Sequence, residues 1–117
     1  AQEIGAFYGA QVEMDHYEPL FKDMRQDKKL LDLFKDVMTE FGETPRILPD
    51  DEADGSTDVG NISYEVPTAQ PTLQIGLGLE AHTPEFTCAA GSDYGLAQAI
   101  KGAKIMVVVA LRYAMCK

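Results

Sequence analysis

Residues 55–68 read Gly-Ser-Thr-Asp-Val-Gly-Asn-Ile-Ser-Tyr-Glu-Val-Pro-Thr, and the reading of this stretch sets the expected fold. Small side chains and the glycines at 55 and 60 let backbone amides approach an anion closely, and Asp58 can orient neighbouring groups. A plain turn would use the same residues. Ile62 to Val66 reads as a short strand that Pro67 ends. Thr72 to Ile75 reads as another, broken by Gly76 and Gly78. Next comes Ala81-His82-Thr83-Pro84-Glu85-Phe86. Here His82 offers a neutral imidazole of the kind that binds metals, with Glu85 either behind the ligand or on the surface. From Ser92 or Asp93 to Met115 the pattern is one long helix. Ile105-Met106-Val107-Val108-Val109 is apolar nearly all round, which predicts burial on most sides.

Upstream of the opening stretch, Asp27 is a good N-cap. Leu30, Leu31, Phe34, Val37, Met38 and Phe41 follow at helical spacing before Gly42 and Pro45. Ala10, Val12 and Met14 alternate with Gln11, Glu13 and Asp15, the period of a half-buried strand. Residues 1–8 fit the end of a helix stopped by Gly9. Tyr17 to Phe21 is an extended connector. Residues 42–61 are loop, long enough to be functional or disordered.

The 117 residues carry 19 acids and 10 bases, a net charge of −9. The split is uneven: residues 1–58 hold 15 acids and 6 bases, and residues 59–117 hold 4 of each. With no basic face to displace counterions from phosphates, neither a nucleic acid nor an anionic membrane is an expected partner. The longest apolar run, Ile105 to Leu111, falls well short of a membrane span. Cys88 and Cys116 make no disulfide framework, so reduced thiols and a cytoplasmic location are expected. The acidic run also suggests calcium, since Asp50, Glu52, Asp54, Gly55, Ser56 and Asp58 fall at positions 1, 3, 5, 6, 7 and 9 of an EF-hand loop. Asn61 at position 12 lacks the bidentate carboxylate. Pro45 and Pro49 keep an entering helix away, and a strand at 62–66 leaves no exit helix.

Taken in order, the 56–68 stretch, the His-Thr-Pro-Glu-Phe segment at 82–86 and the alanine-rich helix resemble the C-terminal end of the M20 family of metal-dependent amidohydrolases and peptidases. The branch is that of the aminobenzoyl-glutamate hydrolases and the M20-domain dipeptidases. The resemblance implies an α/β fold: a C-terminal fragment of the catalytic domain, a mixed sheet with helices, at residues 19–117. Residues 1–18 would end the inserted lid domain with its last strand, through which many members form homo-oligomers. His82 matches a metal ligand of the family's centre of two divalent cations, zinc or manganese. Ser56, Thr57 and Asp58 match the loop lining the substrate cleft, and Glu85 stands behind the ligand. The glycine turn at 76–78 would bring His82 toward that loop.

The implied reaction is hydrolysis of a peptide or N-acyl amino acid amide by metal-activated water, acting on a small-molecule amide or dipeptide. The family's His-x-Asp ligand pair and Glu-Glu pair with the general base do not occur in this sequence. The chain by itself is therefore expected to be inactive. The alternative is a standalone, non-catalytic interaction domain with an M20-like remnant.

Overall fold

Asp27 starts the first of two packed helices by accepting a hydrogen bond from Leu30 N at 2.8 Å, which satisfies an otherwise orphaned amide. This helix, Lys28–Glu40, ends in a Schellman arrangement. Gly42 takes φ +83°, Gly42 N donates to Thr39 O at 3.0 Å, and Glu43 N donates to Met38 O at 3.0 Å. Its buried face is Phe34, Val37 and Met38. They pack against Ile105 and Val109 of the second helix, Asp93–Met115, with Leu30, Leu33, Phe41, Ala69, Leu73 and Val108 around them.

The computed structural model describes residues 1–48 and 55–115. In chain order its helices are α1 Gln2–Phe7, α2 Lys28–Glu40, α3 Val59–Ile62, α4 Pro84–Ala90 and α5 Asp93–Met115. α5 packs on α2 and α4, while α1 touches no other helix among the described residues. The corner between α4 and α5 is tight. A Cβ on Gly95 would lie 2.3 Å from Ala89 O, so only glycine lets the two backbones meet there. Ser92 caps α5, accepting from Gly95 N at 3.1 Å and donating to Ala89 O at 2.7 Å.

Polar bonds fix the register of α2 against α5. Arg112 grips Glu40 through two bonds of 2.6 and 2.8 Å, the bidentate geometry a guanidinium favours. Gln98, buried at 3% exposure, donates to Gln74 O at 2.9 Å and to Glu43 at 3.4 Å. Lys101 donates to Glu43 at 2.5 Å. That bond holds the Glu43 carboxyl below the usual carboxylate range; burial opposes the shift and Gln98 adds to it. Because the folded pKa is the lower one, the pair's stabilisation is complete above about pH 4.5 and is lost as pH falls through the folded value. Glu43→Gln should therefore flatten that part of the stability profile, measured by urea denaturation between about pH 6 and pH 3.

The α/β expectation is not met: among the described residues there is no strand and no sheet. Residues 10–16 and 72–75 belong to no regular element, and no neighbouring strand pairs with either among the described residues, so the alternating pattern has nothing to form a ladder with. Neither the predicted mixed sheet nor the last lid strand forms among the described residues. Residues 62–66 differ in kind, forming the end of α3 and the turn after it. Ser63 favours a turn over an extended conformation there, because its hydroxyl bonds back to Gly60 O, while Asn61 ties the turn to the connector at Leu20 and Lys22.

α5 runs where the sequence places it but is not buried on most sides. Leu96, Ile100, Val107 and Leu111 are 54–59% exposed, because α2 and α4 cover one face and no sheet covers the other. By length and composition alone this helix could also cross a membrane, contrary to what the apolar run suggested. Its ion-paired Lys101 and Arg112 lie on the side that packs on α2. The chain exposes 9527 Å², against about 6,300 Å² for a compact protein of this mass. Its radius of gyration is 19.5 Å, where about 13 Å is usual for this length.

Candidate functional site

The Ser56–Asp58 loop leads directly into α3. Ser56 and Asp58 are exposed and Thr57 is half-buried. Thr57 Oγ1 accepts from Val59 N at 3.3 Å, and Asp58 O accepts from Asn61 N at 2.9 Å, closing the helical turn. The Asp58 side chain makes no capping bond, which leaves its carboxylate turned to solvent.

The residues after that loop lock it onto the connector at 20–25. Gly60 is buried against the connector: a Cβ there would meet Lys22 O at 2.2 Å. Asn61 uses both ends of its carboxamide, Oδ1 accepting from Lys22 N at 2.7 Å and Nδ2 donating to Leu20 O at 3.2 Å. Ser63 Oγ accepts from Arg25 N at 2.9 Å and donates to Gly60 O at 2.6 Å. Tyr64 donates to Asp23 Oδ1 at 2.6 Å, and that bond holds the Asp23 carboxyl below its usual range and pushes the phenol up. Lys22 and Arg25 lie 4.6 and 3.9 Å from the Tyr64 ring centre, within reach of a cation–π attraction. Asp27 N donates to Thr68 O at 2.8 Å, continuing the contact to the start of α2.

His82 sits at the tip of a second turn. Its φ of +64° is left-handed, uncommon for a residue with a Cβ though more frequent for histidine than for most, and its side chain is exposed. Thr83 fixes the turn, donating to Glu80 O at 2.8 Å and accepting from Phe86 N at 3.2 Å as the cap of α4. Pro84 opens that helix, and Glu85 lies exposed in its first turn. Among the described residues no hydrogen bond joins His82 to Glu85, nor the 82–86 segment to Ser56, Thr57 or Asp58.

No three His, Cys, Asp or Glu side chains converge on a possible metal position among the described residues. The acids Asp50, Glu52 and Asp54 of the calcium reading lie outside those residues, as does Cys116. One argument against an EF-hand does need correcting, since a helical turn, α3, stands where a strand was expected. Cys88 is exposed on α4.

Sequence reasoning missed Asn61, Ser63, Tyr64 and Asp23 as a group. Asn61 just before the supposed strand and Ser63 within it were the available signal, since both side-chain types readily bond to backbone.

Two curated relatives match the chain. The Xaa-Arg dipeptidases of Mus musculus and Homo sapiens are each 40% identical to it over 57 residues, 49% of this chain. The match spans 13% of the length of each relative. No family model matches, and no solved structure matches. The chain is thus similar to a dipeptidase over half its length, a relationship to peptide hydrolases that rests on a short stretch.

Proposed function

We propose that this chain is the C-terminal part of an M20-type, metal-dependent hydrolase that cleaves a dipeptide or a related amide. The observation that carries the reading is the 40% identity to dipeptidases over 57 residues. The exposed apolar face of α5 agrees with it, because it is a surface a larger catalytic domain would cover. Residues 1–18 belong, on this reading, to a lid through which subunits pair, and residues 19–117 to the catalytic domain.

The described donors do not compose a metal centre. A single exposed imidazole cannot hold two cations, so His82 supplies one ligand and other residues of the hydrolase supply the rest. Zinc or manganese suits such a mixed imidazole and carboxylate set. The chain's remaining contribution is binding. Ser56 and Thr57 hydroxyls and the loop amides hold the substrate's carboxylate or amide, and Asp58, free of capping bonds, is available to a cationic group such as an arginine side chain. Thr83 keeps the turn bearing His82 in place, and Glu85, exposed in the first turn of α4, stands beside it.

The test is hydrolysis of Ala-Arg by the intact hydrolase containing this chain. Chelation should abolish turnover, and added zinc or manganese should restore it. Turnover that survives removal of all divalent metal would refute the reading.

A further inference from the structure

We infer that Asn61 is a positioning residue for the substrate loop, setting Ser56–Asp58 in place by fastening α3 to the connector at 20–25. The inference rests on the reading of Ser56–Asp58 as a substrate loop. Its physical basis is independent of that reading.

Asp58 lies three residues before Asn61, and the turn between them is closed by Asp58 O accepting from Asn61 N at 2.9 Å. Whatever fixes Asn61 therefore fixes the end of the loop. Asn61 is held from outside its own segment, 39 and 41 residues away in sequence, by the amide of Lys22 and the carbonyl of Leu20. This pair of bonds copies what a neighbouring strand would make, using one side chain in place of a backbone. Gly60 permits the approach, since any Cβ would strike Lys22 O. Ser63 and Tyr64 add bonds to Arg25 N and Asp23, so the connector is gripped at Leu20, Lys22, Asp23 and Arg25 from one side of the turn. By contrast, the Asp58 side chain makes no capping bond, and among the described residues the one side-chain bond within the loop is the 3.3 Å contact of Thr57 Oγ1 with Val59 N. The loop has little of its own to hold it, and the clamp supplies its geometry.

The test compares wild type with Asn61→Ala and Asn61→Asp in the intact hydrolase. Asn61→Asp keeps the acceptor for Lys22 N and loses the donor to Leu20 O, so it also serves if the alanine variant folds poorly. Two readouts are needed: kcat and KM for Ala-Arg, and hydrogen exchange at the amides of residues 20–25 and 55–58. Loss of both bonds should raise KM about tenfold with kcat and bound metal retained, and the aspartate variant should fall between. Exchange should quicken at both segments together. An unchanged KM with activity merely tracking the folded fraction, or faster exchange at 20–25 with 55–58 unmoved, would overturn the inference. A wild-type protein without hydrolytic activity would defeat the functional reading instead, and the exchange result would still decide whether Asn61 positions the loop.

Discussion

Ile105→Ala is expected to cost the chain about 2–5 kcal/mol, the range for truncating a large aliphatic side chain in a core. Ile105 is 2% exposed and belongs to a cluster with Phe34, Val37, Met38 and Val109. The removed atoms lose their transfer free energy, and α2 and α5 can close the gap only partly because ion pairs at Arg112–Glu40 and Lys101–Glu43 hold their spacing. A domain of this size commonly has about 5–15 kcal/mol of stability, so the substitution removes a large share of it. Leu96→Ala on the far side of the same helix is the control. Leu96 is 54% exposed, and its truncation in this chain should shift stability by no more than about 0.5 kcal/mol. Equilibrium urea denaturation followed by helical circular dichroism measures both. Equal effects of the two variants would contradict the described packing.

What could be read from the sequence divides along the range of the interactions involved. α2 and α5 could be placed within a residue or two, because their caps and apolar spacing are local: Asp27 bonds three residues ahead, and Gly42 takes the conformation glycine favours. The same holds for the end of α1 near Gly9, which adopts φ +70°. Strands could not be placed, because a strand exists only through a partner that a local pattern does not specify. Residues 10–16 carry a clean alternation and join no ladder among the described residues. At 62–66 the apolar residues suggested a strand, while Asn61 and Ser63 decided the outcome through bonds to a connector about 40 residues earlier. The apolar composition of α5 also misled. It implied a helix buried on most sides, whereas burial depends on how many neighbours reach it. For the site, the sequence order drew attention to Ser56–Asp58 and His82. It did not reveal the clamp beneath the first or the left-handed backbone of the second.

His82→Ala carries the other large expected effect. A metal ligand contributes directly to the affinity of its centre, and even residues that only orient ligands cost about 10–100-fold when removed. On the proposed role, loss of His82 should therefore lower metal affinity and Ala-Arg turnover by more than about a hundredfold. His82 is exposed at the tip of its turn, so its removal takes away no packing. The deciding measurement is the metal content of the intact hydrolase, wild type against His82→Ala, by elemental analysis after dialysis. The proposed role predicts two divalent ions per subunit in the wild type and a clear deficit in the variant, with turnover falling in step. Equal metal content and equal turnover in the two proteins would contradict it.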